Sequence, residues 1–243
     1  MRVLLVREDR EYLCAPGEEL QTDLGVLAVP DDVVPGDVVE THLGEPFRVR
    51  KARGPALFRH LERTGAPMLP RDVGLVVGHL GLEAGDRVLD AGTGTGILSV
   101  FLGRLSMTVT SYERDSDFAE VARENVRIAG VDDRVEVRTG DLLEALDDLS
   151  EGEPFDAMTL DTRDASAVVE RGPEVLGPGG GVAVYTPFVE GTRAVVEAAR
   201  EAGLDSIESF ETIQRRMDFG ERGSRPSTAG VGHTGYLTFA RVP

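Results

Sequence analysis

Nine residues, Val88-Leu89-Asp90-Ala91-Gly92-Thr93-Gly94-Thr95-Gly96, limit the architecture of this chain more than any other stretch. A short apolar strand runs into glycines at alternate positions, and Ile97–Leu105 then carries helical spacing. Such a loop needs a strand before it, a helix after it, and backbone free of β-carbons where the chain turns or a ligand approaches. Strands and helices alternate after it. Strands are predicted over Thr108–Tyr112, Val135–Thr139, Ala157–Leu160 and Val182–Tyr185, with late strands near Ser206–Ile213 and Tyr236–Arg241. Helices are predicted over Phe118–Ala129, ended by Gly130, and Val189–Ala202, before Gly203. Another is predicted to run to Leu176 and stop at Gly177-Pro178-Gly179-Gly180-Gly181. This order predicts an α/β domain whose mostly parallel sheet is covered on both faces. Ligands in such sheets bind beyond the carboxyl ends of the strands.

Upstream the pattern differs. Val3–Val6, Leu24–Val29, Asp37–Thr41 and Phe47–Val49 are short β-rich pieces punctuated by Pro16-Gly17, Pro30-Asp31-Asp32 and Pro35-Gly36. Three parts are therefore expected: a small β domain over 1–50, an Arg-rich connector over 51–70, and a catalytic domain over 71–243. A length of 243 residues suits one large domain with a small appendage.

The loop admits two ligand classes. A dinucleotide site wants glycine at positions one, three and six, but the sixth position here is Ile97. Asp90 stands just before the loop, where a carboxylate repels a phosphate and attracts an ammonium. Further acids close the next three strands: Glu113, Asp141 after Gly140, and Asp161. All of them lie on the carboxyl side of the sheet and can converge on one crevice. An acid at a strand end also caps the helix that follows, and that reading stands beside the functional one. A dinucleotide-dependent dehydrogenase remains the rival from another enzyme class.

The Asp-x-Gly-x-Gly-x-Gly run resembles the class I S-adenosylmethionine-dependent methyltransferases. Three further stretches resemble, within that class, the tRNA adenine-N1 methyltransferases of the T-loop. These are Met68-Leu69-Pro70-Arg71-Asp72-Val73-Gly74, Val184-Tyr185-Thr186-Pro187, and Arg225-Pro226-Ser227-Thr228 followed by Gly232-His233-Thr234-Gly235-Tyr236-Leu237-Thr238-Phe239-Ala240-Arg241. The resemblance implies a Rossmann-like sheet of seven strands, mostly parallel with one antiparallel late strand, and a homotetramer. It implies S-adenosylmethionine held by Asp90, Gly92, Thr93, Gly94, Thr95, Gly96, Ile97, Leu98, Glu113, Arg114, Asp141, Leu142 and Asp161. Glu113 would take the ribose hydroxyls and Asp141 the adenine amino group. Asp161 would face the acceptor base; Tyr185 would contact the same base or stand as a half-buried core tyrosine, and His233 would face the substrate or cap a turn. A carboxylate at Asp161 that accepts a hydrogen bond from the 6-amino group would orient the adenine and favour positive charge developing on it. The T-loop base must first be extruded into the pocket. The chain departs from the family after Asp161: it reads Thr162-Arg163-Asp164, where relatives carry a proline and then a tryptophan. A protein-isoaspartate or small-molecule methyltransferase, or a non-catalytic tRNA-binding subunit, are the alternatives.

Charge bears on the partner. The net charge is −17, with 43 acids against 26 Lys+Arg, and Lys51 is the only lysine. That bias resembles the proteins of salt-loving archaea, where carboxylates maintain solubility; a GC-rich genome gives the same preference for Arg. The distribution is uneven. Residues 47–74 carry +5 and 211–243 carry +2, whereas 1–46 carry −8 and 75–210 carry −16. The two basic stretches are the expected RNA contacts, with a solvated Arg-rich linker as the alternative reading. Cys14 is alone and His42, His60, His79 and His233 are scattered, so neither a disulfide nor a metal site is expected. No stretch reads as a signal peptide or membrane span, and a cytoplasmic protein is expected.

Overall fold

The computed structural model of the chain describes residues 2–229 and 232–243; Met1, part of the amino-terminal β reading, lies outside them. The first fifty residues form β1 (Val3–Arg7), β2 (Arg10–Cys14), β3 (Glu19–Thr22), β4 (Gly25–Ala28), β5 (Val38–Glu40) and β6 (Pro46–Lys51). Four of these strands make an antiparallel sheet in the order β2-β1-β6-β5, and β3 and β4 pair as a hairpin. Along β6 the pleat sends Phe47 and Val49 into a core with Val3, Leu5 and Leu27, and leaves Arg48 and Arg50 exposed. Cys14 is buried there, and burial pushes its thiol up to about 11. It is an inert core side chain.

The connector folds into α1 (Gly54–His60) and leads to α2 (Pro70–Leu80). The large sheet then alternates with helices: β7 (Arg87–Ala91), α3 (Ile97–Arg104), β8 (Thr108–Glu113), α4 (Ser116–Ala129), β9 (Val135–Thr139), α5 (Leu142–Ser150), β10 (Phe155–Leu160), α6 (Ala165–Glu170), β11 (Leu176–Thr186), α7 (Val189–Glu201) and β12 (Asp205–Glu211). The exposed hairpin β13 (Met217–Gly220) and β14 (Gly223–Pro226) precedes the last strand, β15 (Tyr236–Arg241). The sheet order is β12-β15-β11-β10-β7-β8-β9, and β15 runs antiparallel to both neighbours. This is the seven-stranded, mostly parallel Rossmann-like sheet expected from the sequence.

Alternation along β7 sends Val88 and Leu89 to opposite faces. Val88 packs with Val76, Val100 and Val126 from α2, α3 and α4, and Leu89 with Leu146, Val168 and Val195 from α5, α6 and α7. β7 lies between β8 and β10, so the strand order reverses there. The crevice at such a switch point is where an open α/β sheet takes its ligand.

Several elements differ from expectation. α2 was not expected; Pro70 opens it, because the first helical position needs no N–H donor, and Gly81 closes it at φ +67°. α5 was not expected; it buries Leu142 and Leu146. The helix expected to reach Leu176 ends at Glu170, and Gly172–Glu174 form a single 3-10 turn. The glycine-rich run is not a helix stop but lies within β11. An irregularity in pairing absorbs it: Leu176 faces Phe155, while Gly181 faces Ala157.

Candidate active site

The loop between β7 and α3 is built on three left-handed glycines: Gly92 at φ +84°, Gly94 at +52° and Gly96 at +74°. A β-carbon on Gly92 would lie 2.0 Å from the carbonyl oxygen of Asp161, and one on Gly96 3.3 Å from Ala122 Cβ. Glycine is therefore required at Gly92 by a neighbour as well as by its own backbone. Beneath the loop Asp90 is buried. Its Oδ2 accepts the hydroxyls of Ser99 at 2.9 Å and Ser111 at 2.5 Å, and its Oδ1 accepts Thr159 at 2.6 Å. Burial pushes its carboxyl up from the ordinary carboxylate range, and the three hydroxyls oppose that shift. Three of the acceptor positions of Asp90 are thus taken within the protein. Thr93 Oγ1 lies 2.6 Å from Ser111 Oγ. Ser111 spends its proton on Asp90, so Thr93 donates.

A cleft of about 550 Å³ opens beside the loop, lined by Gly94, Glu113, Arg114, Asp141 and Leu142. Glu113 Oε2 accepts the Gly94 N–H at 2.8 Å, and its Oε1 accepts the Asp115 N–H at 3.1 Å. Asp141 caps α5 by accepting the Leu143 N–H at 2.9 Å, and pairs with Arg114 at 2.8 Å. Arg114 also holds Asp164. The capping and the ligand-facing readings of Asp141 therefore describe one residue: the capping bond fixes a carboxylate that lines the cleft.

A tighter cavity of about 50 Å³ adjoins this cleft, sharing Thr64, Gly92, Gly94 and Asp161 with it and lined also by Thr93, Thr95, Ile97 and Leu98. Thr64 comes from the connector. It is brought here by Asn125 of α4, which is fully buried: its Oδ1 accepts the Glu62 N–H at 3.0 Å, and its Nδ2 donates to the carbonyls of Glu62 at 2.9 Å and Thr95 at 2.8 Å. Thr64 Oγ1 is buried without a hydrogen-bond partner. No sequence pattern marks Thr64, because its place depends on a contact 63 residues away in sequence.

A third cavity, of about 350 Å³, is lined by Phe58, Arg63, Asp72, Asp161, Tyr185 and His233. Asp161 lines all three spaces. Its side chain opens onto them, yet the protein packed around it and the carboxylates of Asp90 and Glu113 push its carboxyl up to about 7. The Tyr185 hydroxyl donates to the Thr234 carbonyl, and burial raises its pKa. Arg71 holds the Thr234 hydroxyl at 2.6 Å. His233 Nδ1 lies 2.7 Å from Glu211 Oε1 and Nε2 lies 3.4 Å from the Pro187 carbonyl. Tyr185 and His233 are thus walls of this cavity whose polar atoms are engaged with the protein. Arg63 lies over the Phe58 ring, 4.8 Å from its centroid.

These features fit S-adenosylmethionine. Asp90, Glu113 and Asp161 supply negative charge for a cationic ligand, Gly92 leaves a space that a side chain would close, and the Thr64 hydroxyl is uncommitted. Among the described residues, no group of three or more His, Cys, Asp or Glu is arranged to hold a metal, and no helix is long and apolar enough to cross a membrane.

Comparisons with known proteins agree with the fold. The family model described as "tRNA methyltransferase complex GCD14 subunit" matches residues 60–222. The chain is 30% identical over 269 residues to the tRNA (adenine(57)-N(1)/adenine(58)-N(1))-methyltransferase TrmI of Methanocaldococcus jannaschii, covering 100% of this chain and 95% of that protein. It is 31% identical over 242 residues to the tRNA (adenine(58)-N(1))-methyltransferase TrmI of Thermus thermophilus, covering 97% of this chain and 94% of that protein. Among solved structures, a SAM-dependent O-methyltransferase from Thermotoga maritima superposes with a TM-score of 0.81 at 27% identity, covering 99% of this chain and 92% of that one. The chain belongs to the GCD14 family of tRNA methyltransferases.

Proposed function

We propose that this protein is a tRNA (adenine-N1)-methyltransferase that moves a methyl group from S-adenosylmethionine to N1 of a T-loop adenosine, the activity carried by the names of its M. jannaschii and T. thermophilus relatives. The observation that carries the reading is the position of Asp161, which borders both the glycine-loop cavity and the wider cavity with Tyr185 and His233.

When bound, the cofactor supplies an electrophilic methyl group. The cleft with Glu113 and Asp141 is its nucleoside site and the tighter cavity its amino-acid site. Gly92, Thr93, Gly94, Thr95, Gly96, Ile97 and Leu98 form the loop between them, with Asp90 beneath it. Arg114 aims Asp141, and Leu142 gives the cleft an apolar wall. The acceptor adenine enters the third cavity. Asp161 accepts a hydrogen bond from its 6-amino group, which turns N1 toward the methyl group and disperses the positive charge the ring gains on alkylation. Tyr185 and His233 shape the cavity around the base. Exposed cations supply the RNA contact: Arg48, Arg50, Lys51, Arg53 and Arg63 have no ion-pair partner among the described residues.

The protein is further proposed to work as a cytoplasmic homotetramer in a salt-loving archaeon, a reading supported by the family resemblance and the acid-rich, lysine-poor composition. The test of the central reading is incubation with S-adenosylmethionine and unmodified tRNA across a range of salt, followed by mass spectrometry of the digested nucleosides. The expected product is 1-methyladenosine at a T-loop position. Its absence, or methylation of a peptide instead, overturns the reading.

A further inference from the structure

We propose that the guanidinium of Arg63, carried on the ring of Phe58, is the platform on which the extruded acceptor base stacks in the third cavity. This deepens the acceptor reading given above and rests on it.

The argument begins with which side chains of that cavity are free. Its polar side chains are Arg63, Asp72, Asp161, Tyr185, His233 and Thr234. Four of them are engaged within the protein. Asp72 pairs with Arg71 at 3.3 Å, and the Thr234 hydroxyl accepts from Arg71 at 2.6 Å. Tyr185 donates to the Thr234 carbonyl, and His233 is held between Glu211 and the Pro187 carbonyl. The side chains of Asp161 and Arg63 have neither a hydrogen bond nor an ion pair among the described residues, not even with each other. One cavity thus holds a free carboxyl group and a free cation. Asp161 takes the edge of the base, and Arg63 is left for its face or for a phosphate.

Charge decides between these two. A phosphate drawn into the cavity by Arg63 would meet the carboxylates of Asp72 and Asp161, which repel it. A neutral base meets no such repulsion. Arg63 lies over Phe58, 4.8 Å from the ring centroid, and a guanidinium laid on one ring can take a second π system on its other side. Unstacked RNA bases are held in this way on aromatic rings and guanidinium planes. The other two rings of the lining are more encumbered. A β-carbon on Gly235 would lie 2.5 Å from Tyr185 Cζ, so backbone covers that end of the phenol, and the His233 ring packs against Tyr236 with centroids 5.1 Å apart. The contribution of Arg63 falls on holding the neutral base. A cation beside a ring that gains positive charge on alkylation does not favour that later step.

The platform stands on fixed ground. Phe58 is buried and shares a core with Leu57 and Leu61 of the same segment. Asn125 grips Glu62 at both its N–H and its carbonyl, immediately before Arg63. The guanidinium therefore extends from a clamped backbone, which lowers the entropy lost when it orders against a base.

The test is filter binding of the full-length protein, saturated with S-adenosylhomocysteine, to two transcripts. One is the unmodified tRNA. The other lacks only the base that the wild-type protein methylates, a position mapped beforehand by mass spectrometry of the reacted tRNA. Arg63→Ala is expected to raise the Kd for the intact tRNA about tenfold, the scale of one stacked base, and to leave the abasic tRNA within about twofold. Arg63→Lys keeps the charge without the plane and is expected to behave like the alanine variant. Both variants should bind S-adenosylhomocysteine like wild type, because Arg63 lines neither cofactor cavity. Equal loss on both transcripts, with rescue by lysine and a salt slope lower by about one unit in the alanine variant, would mark a phosphate contact and overturn the inference. Unchanged binding of the intact tRNA would overturn it as well. A wild-type chain that forms no 1-methyladenosine overturns the acceptor reading, and the inference with it.

Discussion

Gly92 passes so close to Asp161 that a β-carbon on the glycine would sit 2.0 Å from the carbonyl oxygen of the aspartate. The two segments are also joined by hydrogen bonds: the Asp161 N–H donates to the Ala91 carbonyl at 2.8 Å, and the Gly92 N–H donates to the Tyr112 carbonyl at 3.0 Å. The end of β10 is therefore seated on the glycine loop. The loop that would cradle the cofactor also fixes where the carboxylate of Asp161 stands, so the cofactor and acceptor cavities share one support.

Gly92→Ala should destabilise the protein by about 3 kcal/mol, because it combines a left-handed backbone with a collision against backbone that cannot swing aside. Gly94→Ala is the control. Gly94 has φ +52° but meets nothing nearer than 3.9 Å, and its cost should be only about 1 kcal/mol. Chemical denaturation of the two variants measures the difference; equal losses would mean that the Asp161 contact adds nothing to the backbone term.

The carboxyl of Asp161, pushed up to about 7, should appear in the pH profile. It accepts a hydrogen bond only when ionised, so kcat/KM should climb with pH below about 7 and level off above it. Asp161→Asn should flatten that limb and lower turnover by about 100-fold or more, while S-adenosylhomocysteine still binds. The stability effect has the opposite sense. A carboxyl whose pKa is higher in the folded than in the unfolded chain contributes stability at low pH and loses it as pH rises through the folded value. Asp161→Asn should therefore raise Tm relative to wild type, by a margin that grows from pH 5 to pH 8. Thermal unfolding at several pH values measures this.

How much of this was legible in the sequence follows from how far each signal reaches along the chain. The glycine loop and the acids at Glu113, Asp141 and Asp161 are local patterns, a turn or a strand end, and they gave the sheet and the crevice. β11 misled because glycines normally punctuate; here the partner strand β10 lets them continue the ladder through an irregular register. α2 opens on Pro70, a residue that suits only the first turn of a helix, so its start is legible only once the structure places Pro70 there. Thr64 and Asn125 carry no local signal at all. Their role exists only once α4 brings residue 125 against residue 62.

Asn125→Ala should release the connector. The substitution leaves the Thr95 carbonyl without its partner in a buried place and the N–H and carbonyl of Glu62 without theirs in a half-buried one, a loss of about 2 kcal/mol by the usual cost of unpaired groups. Hydrogen exchange should rise at residues 61–68, while the strands of the large sheet remain protected. A uniform rise across the whole chain would indicate global destabilisation rather than release of one clip.

The basic band between residues 47 and 74 makes the last prediction, and its cations are not equivalent. Arg59 is tied to Glu11 at 2.8 Å, and the Arg71 side chain is only 7% exposed, beside Asp72. Arg48 and Arg50 share the outer face of β6, exposed and without ion-pair partners among the described residues. If each neutralises one phosphate, Arg48→Ala with Arg50→Ala should weaken binding similarly for every tRNA sequence. It should also reduce the slope of log K against log salt by about 2, since each released counterion contributes about one unit. Turnover at saturating tRNA should stay unchanged, because neither residue lines the three cavities. Filter binding over a salt series decides the matter: an unchanged slope would remove the outer face of β6 from the RNA interface and leave Lys51, Arg53 and Arg63 to carry the contact.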